Sequence, residues 1–358
     1  MSTARLCLVR WKVIFTIFYN NPYKREGLSN KMEKLSKKKL INEYNEGEEV
    51  KDIFVVKFKK GISNYAKGYS FYLVLTDSSG KSMDYKYWGG NDEAKVKMIY
   101  DTIKDDSVVY VEGKVGSYNN KPQIGSNEGV HLIKVIEKDQ YNEEDFIKKT
   151  TKDIEIMYSQ LEGYIEKVRD EKLKSLLKNI FLEVGGSFKK HPAAISIHHN
   201  WVGGLLEHVL EVLRYCELSA ELFPELNRDL LFTGAILHDI GKLEEMEMTA
   251  RIKGTNKGMF SGHVLLGSVF VSNKMDELEI DEETKNKVLH MIISHHGKIE
   301  YGALKEPMFP EAVVLHYADE LSSKTVEMLN FVNDNKDDTE DDFMPKWEKN
   351  KPTNIFLR

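Results

Sequence analysis

The residues most able to do chemistry lie in the second half of this 358-residue chain, and the stretch Leu230–Lys242, LLFTGAILHDIGK, is their centre. It reads as a helix that is apolar almost all round and therefore buried, yet it ends on His238 and Asp239. An unpaired carboxylate is costly to bury, so such groups pair with another charge or bind a metal. Gly241 is expected to let the helix stop, and Lys242 falls four residues after His238, on the same side. A metal at this point requires further His and Asp residues on the inward faces of other helices.

The sequence supplies them. His208 shares a helical stripe with Leu205, Val209 and Val212, and His263 follows in FSGHVLLGS. His295 and His296 end two adjacent stripes, Val288–Ile292–His295 and Leu289–Ile293–His296. Asp319 lies on the face of Ala312, Leu315 and Ser323. Taken singly, each histidine is more simply a hydrogen-bonded core residue, and Asp319 a cap or a partner of Lys324. The concurrence of His208, His238, Asp239, His295 and Asp319 on inward stripes of separate helices argues for a metal centre.

Imidazole and carboxylate together suit Mn²⁺, Fe²⁺, Co²⁺ or Zn²⁺, and the lack of thiolate ligands argues against a structural zinc site. Seven candidate ligands suffice for two ions if one carboxylate bridges, and Asp239 beside His238 is the natural bridge. Two such ions could activate water and neutralise the oxygens of a phosphate under in-line attack. Lys242 could then stabilise charge on the phosphoryl group.

The elements that must hold these residues are helical from about Ile154 to Asn333. Before them, from about Glu48 to Lys138, come short alternating strands with a helix near Glu93–Ile103 after the third. Asp77–Gly80 and the Asn119–Asn120 pair read as hairpin turns. Five strands with that helix position are the order of an OB-fold, a small barrel that commonly binds oligonucleotides. Tyr65, Lys67, Tyr72, Tyr85, Tyr87, Trp88, Tyr118 and Lys121 interleave there as candidates for base stacking and backbone contact. Strands also favour aromatics for packing, so about half of these are expected to face the core.

The expected organisation is a multidomain chain: an N-terminal extension over 1–47, partly disordered, a barrel over 48–140, an all-α domain over 150–333 and an acidic, solvated tail over 334–358. Val13–Tyr19 is apolar after Arg5, Arg10 and Lys12, but too short to span a bilayer; a disordered or misassigned leader is the expectation, with Met32 a more natural start. Two cysteines without a CxxC pattern exclude a disulfide framework and fit a reducing cytoplasm. The net charge of −6 argues against a generally basic nucleic-acid coat.

HDIGK, with a His upstream and an Asp downstream in helices, resembles the HD superfamily of metal-dependent phosphohydrolases. The resemblance implies an all-helical fold and hydrolysis of phosphate esters. It carries His208, His238, Asp239 and Asp319 onto a first metal and Asp239, His263, His295 and His296 onto a second. The order of barrel and helices, with HHNWVGGLLEHVLEV at the entry to the latter and GISNYAKGYSFYLVLTDSSGKSMDYKYWG in the former, is similar to the YhaM-type 3′→5′ exoribonucleases. That similarity runs from about Glu48 to Val332. It implies a manganese-favouring cytoplasmic enzyme that removes nucleotides from single-stranded RNA, with single-stranded DNA as a further substrate.

Expected substrate contacts are His198, His199, Tyr72, Tyr87, Trp88 and Lys121, and the expected catalytic residues are Asp239 and Lys242. His198 and His199 could equally be partners of a ligand or loop residues. His191 is expected to be structural, and His316 a core residue or the partner of a ligand. Arg251, Lys253 and Lys257 form a basic, glycine-containing loop before His263 that could guide an incoming strand, with a solvated loop as the default. No membrane partner is expected, and a homo-oligomer stays open. The alternative function is hydrolysis of small nucleotides or cyclic dinucleotides with a regulatory barrel. The HD-GYP enzymes share H…HD…H…HH…D, although HHGKIEYGALKEP stands here where their GYP segment would follow.

Overall fold

The strand β1 (Glu49–Tyr65) organises the N-terminal part of the fold because it serves two ladders. Its first half pairs antiparallel with β4 (Val108–Tyr118), from Glu49↔Lys114 to Val55↔Val108. Its second half pairs with β2 (Gly68–Thr76), ending at Tyr65↔Gly68. Register shifts between Val56 and Phe58 and between Lys60 and Ser63 bend the strand from one partner to the other. β3 (Ser82–Trp88) pairs antiparallel with β2 and parallel with β5 (Lys121–Asn127), which returns to β4. The five strands thus close into a barrel, and β6 (Ile133–Ile136) continues along β4 beside β5. Phe54, Phe71, Leu73, Leu75, Tyr85 and Ile124 fill the interior.

The turns obey local chemistry. Gly80 takes φ +72° while Asp77 accepts from the Ser79 backbone N–H at 3.0 Å, closing the expected hairpin. Helix α1 (Glu93–Thr102) follows β3, capped by Asp92, whose carboxylate accepts from Lys95 N–H.

This computed structural model describes residues 34–119, 121–142, 145–195, 199–336, 341–345 and 353–358. The expectations for 1–33, Asn120 and His198 lie outside these residues. Two units divide at Lys34 and Leu35, and everything described here from Leu35 onward belongs to the second.

Residues 35–47 differ from a free extension. Ile41 is buried in the barrel core, Leu35 bridges Tyr141, and the Lys37 ammonium is enclosed between Asp52 at 2.7 Å and Asp77 at 3.7 Å. Apolar burial and paired charge offset the entropy of ordering this segment. The polar linker likewise carries buried anchors. Tyr141 and Phe146 pack with Ile53, Val55, Val108 and Ile136 on the outer face of the barrel.

The helical part comprises α2 (Ile154–Lys167), α3 (Glu171–Phe188), α4 (Gly204–Leu222), α5 (Arg228–Leu237), the short α6 (Lys242–Glu245), α7 (Asn256–Glu277), α8 (Glu282–Ser294) and α9 (Pro310–Asn335). Between α6 and α7, β7 (Met246–Met248) and β8 (Ile252–Gly254) form a small hairpin. One apolar core joins the helices, with α5 buried without interruption from Leu230 to Leu237. After α9, β9 (Phe343–Met344) pairs with β10 (Ile355–Phe356). Met344, Ile355 and Leu357 are buried against Phe331 and Val332, so this part of the tail is packed rather than solvated. Among the described residues, no helix is long and apolar enough to cross a membrane.

Candidate metal centre

Helix α5 ends at Leu237 with His238 as its cap, so the polar pair His238–Asp239 emerges where the buried helix stops. Gly241 is not the left-handed stop expected from the sequence; its φ is −65°. It is small for another reason: a Cβ there would overlap the carbonyl oxygen of His263 and the backbone N of Gly267. That close approach seats α7, and with it His263, beside Asp239. Gly262, at φ +68°, kinks α7 immediately before His263.

Around Asp239 the expected ligands converge. His208 Nε2 lies 3.2 Å from His238 Nε2 and 3.1 Å from Asp319 Oδ1. Asp239 Oδ2 is 3.5 Å from His208 Nε2 and 3.3 Å from His238 Nε2. Its other oxygen, Oδ1, lies 3.5 Å from His263 Nε2 and 3.8 Å from His295 Nε2. Asp239 therefore faces two groups of donors, His208–His238 on one side and His263–His295–His296 on the other. Lys242 Nζ donates to Asp239 Oδ2 at 2.6 Å.

The outer nitrogens explain the orientation of the inner ones. His238 Nδ1 meets the Ala235 carbonyl at 2.9 Å and His295 Nδ1 the Ile292 carbonyl at 2.6 Å. A carbonyl only accepts, so each Nδ1 carries the proton and each Nε2 presents a lone pair. His263 Nδ1 meets Glu245 Oε1 at 3.1 Å, with the same result. His208 Nδ1 meets the Ser322 hydroxyl at 3.1 Å, and that hydroxyl donates to Glu211 at 2.8 Å.

These contacts test whether a cation fits. Asp239 Oδ1, His263 Nε2, His295 Nε2 and His296 Nδ1 are buried without a hydrogen-bond partner. His208 Nε2 and His238 Nε2 approach to 3.2 Å, and with both ring protons on Nδ1 their lone pairs would repel unless a positive charge lay between them. Buried acceptors left unsatisfied cost about 1–3 kcal/mol each, and a divalent ion satisfies them together. The donor set of imidazoles and carboxylates fits such an ion.

The electrostatics agree for three of the imidazoles. Burial pushes His208, His295 and His296 below the ordinary imidazole range, so they are neutral donors. Burial also works against charge on His238, but the Asp239 carboxylate outweighs it and raises that ring. For Asp239, desolvation opposes ionisation, yet Lys242 and His238 overcome it and hold the acid well below its usual range. Asp319 is likewise depressed against the cost of burial, by its bond with His208.

The centre opens into a cleft of about 720 Å³. Lys242, Lys324 and His316 line it together with the apolar side chains of Ile195, Met259 and Tyr301. His316 Nδ1 meets the His295 carbonyl at 2.9 Å, as expected for a ligand's partner, and His191 Nε2 meets the Lys242 carbonyl at 2.8 Å. Glu211, Glu245 and Ser322 were not anticipated. Their only trace in the sequence is spacing: Glu211 and Ser322 each stand three residues after a candidate ligand, and Glu245 three after Lys242. The basic loop is not a free cationic guide, since Arg251 pairs with Asp106, Lys253 with Glu247 and Lys257 with Glu244.

Three aromatic or imidazole expectations are corrected. His199 is fully buried at 0% exposure, with Nε2 3.2 Å from Glu211 Oε2, and cannot meet a strand from solvent. Tyr87 is buried in the barrel and stacks on Phe71 at 4.8 Å, and Tyr85 is wholly interior. Alternation along β3 places both on the core side, leaving Lys86 and Trp88 outward. Trp88 is half-buried, with Tyr65 4.8 Å from its ring and Lys86 Nζ 5.1 Å above it. Lys60 Nζ lies 4.7 Å over half-buried Tyr72, while Tyr118 and Lys121 are exposed at the β4–β5 turn.

Comparison with known proteins adds the following. The HD domain family model matches residues 205–324. Among solved structures, the HD domain of the phosphodiesterase PgpH from L. monocytogenes aligns at 16% identity and TM-score 0.27, over 46% of this chain and 85% of that one. A structure described as the molecular basis for abrogation of activation of pro-inflammatory cytokines aligns at 10% identity and TM-score 0.20, over 32% of this chain and 57% of that one. Asparaginyl-tRNA synthetase from Pyrococcus horikoshii aligns at 15% identity and TM-score 0.20, over 68% and 59% respectively. The chain thus spans less than two thirds of the latter two, and likenesses this weak say nothing more about it. The match at 205–324 encloses His208, His238, Asp239, His263, His295, His296 and Asp319, and this stretch of the chain is an HD domain.

Proposed function

We propose that this chain is a divalent-metal-dependent phosphodiesterase that shortens single-stranded RNA from its 3′ end, with single-stranded DNA as a further substrate. The observation that carries the reading is the unsatisfied inward-facing donor set centred on Asp239, with the Lys242 ammonium beside it in an open cleft. His208, His238, Asp239 and Asp319 would hold one ion, and Asp239, His263, His295 and His296 a second, with Mn²⁺ the favoured species. Bound there, such ions supply Lewis acidity toward a phosphodiester and toward water.

The protein's own groups do the rest. Fixed Nδ1 partners keep His208, His238, His263 and His295 aimed without reorganisation at the moment of reaction. Lys242 pairs with Asp239 and lines the cleft, so its ammonium would offset charge on a phosphoryl group held there. Ile195, Met259 and Tyr301 offer an apolar wall to the terminal base. No protein nucleophile is required, and Cys216 is buried away from solvent. We read the closed barrel as an OB-fold that holds the strand upstream through Tyr72, Trp88 and Lys121.

The test is a 5′-labelled single-stranded RNA incubated with the full chain and Mn²⁺, beside a cyclic dinucleotide under the same conditions. A ladder shortening one nucleotide at a time, lost in Asp239→Asn while RNA binding persists, is the expected result. Turnover of the dinucleotide alone, or a ladder that survives Asp239→Asn, overturns the reading.

A further inference from the structure

Helices α4 and α9 are joined by two polar rungs, only one of which belongs to the ligand set. His208 and Glu211 are three residues apart on α4, and Asp319 and Ser322 three apart on α9, so each pair shares a helix face. The first rung is His208 Nε2 to Asp319 Oδ1 at 3.1 Å. The second is the Ser322 hydroxyl donating to Glu211 Oε2 at 2.8 Å. A diagonal contact of 3.1 Å links His208 Nδ1 to the Ser322 oxygen.

A serine hydroxyl has one proton and an ionised carboxylate has none to give. With Ser322 donating to Glu211, its oxygen can only accept from His208, so the ring proton stays on Nδ1 and the Nε2 lone pair faces the centre. Without that carboxylate, Ser322 is free to turn and donate to Nδ1. The ring proton would then move to Nε2, where it blocks coordination. Glu211 is itself held on both oxygens, by His199 Nε2 at 3.2 Å on Oε2 and Lys152 Nζ at 3.5 Å on Oε1.

We propose that Glu211 is a positioning carboxylate of the metal centre: acting through Ser322, it sets the tautomer and tilt of His208 and so the affinity for the ion held by His208, His238, Asp239 and Asp319. This inference rests on the metal-centre reading above. Loss of such an outer partner weakens metal binding by about 10–100-fold.

The experiment is a titration of the metal-free full chain with Mn²⁺, following the paramagnetic-resonance signal of the free ion. Glu211→Leu and Ser322→Ala are each expected to weaken binding about 10–100-fold. The double variant should be no weaker than either alone, because both cut one link. Glu211→Gln, which keeps an acceptor for the Ser322 hydroxyl, should recover most of the affinity, whereas a role for the charge alone would not be rescued. Unchanged affinity in folded Glu211→Leu, or additive losses in the double variant, overturns the inference. Should Glu211→Leu fail to fold, Ser322→Ala alone decides, and unchanged affinity there overturns it equally. A wild-type chain that binds no Mn²⁺ overturns the metal-centre reading itself, a result distinct from unchanged affinity in the variants.

Discussion

Two sets of ring side chains, the imidazoles around Asp239 in the helical half and the tyrosines of the barrel with Trp88, are treated differently by burial. His208, His238 and His295 are almost completely enclosed, at 0–1% exposure, and each has its outer nitrogen engaged. On the barrel, Tyr85 and Tyr87 turn inward while Trp88 and Tyr72 stay at the surface. Enclosing a polar ring is expensive unless every nitrogen is satisfied, so its position on an apolar stripe has few explanations. A tyrosine on a strand is tolerated on either side. Residue type alone is therefore informative in the first region and weak in the second.

Four experiments can break or sharpen this contrast, and the largest effect is expected from metal removal. Chelation should abolish RNA shortening in the helical half while leaving RNA retention by the barrel intact, as read by gel shift; loss of both together would show that the regions are not separable. Lys242→Met keeps the buried stem but removes the ammonium, and should lower kcat by about 10²–10³-fold. Steady-state kinetics at saturating RNA would report it, and an unchanged kcat would remove Lys242 from the chemistry.

The next effect belongs to the barrel interior. Tyr87→Ala should cost about 3–5 kcal/mol of stability through the cavity it leaves, whereas Trp88→Ala should scarcely alter the melting temperature. The roles reverse for binding: Trp88→Ala should weaken single-stranded RNA binding by about 1–3 kcal/mol. Equal effects of the two variants on melting would refute the assignment of inward and outward faces. The smallest change is a single methyl group. Gly241→Ala forces α7 away from the Asp239 turn at a cost of about 1–3 kcal/mol, and should raise the Mn²⁺ needed for half-maximal turnover; unaltered metal dependence would mean that His263 is not seated by this contact.

Helical spacing puts His208, His295, His296 and Asp319 on apolar stripes, and an apolar helix ending on His238 and Asp239 marks the centre, whereas His263 had no such stripe; strand alternation with turn residues made the barrel legible too. What lies between elements was less so. Nothing in its immediate neighbours distinguishes a Gly241 that ends a helix from one that admits a neighbouring carbonyl, since the partner, His263, is 22 positions away. Glu211 looks like any solvated acid of an amphipathic helix until α9 brings Ser322 against it. The burial of His199 depends on a backbone at φ +47°, which adjacent residue types do not announce. Packing of Met344, Ile355 and Leu357 onto Phe331 and Val332 was hidden by the acidic run that precedes them.

The β7–β8 hairpin has a consequence for anyone dividing this chain. Ala250 at its tip is packed among Ile53, Val55, Val108 and Phe146, and Arg251 is paired with Asp106 of the barrel. Excising the helices as a cassette from residue 150 would strip that tip of its apolar cover and its counter-charge, in the connection that leads into the kinked helix carrying His263. Grafts that exchange one barrel for another should therefore carry the matching hairpin with them.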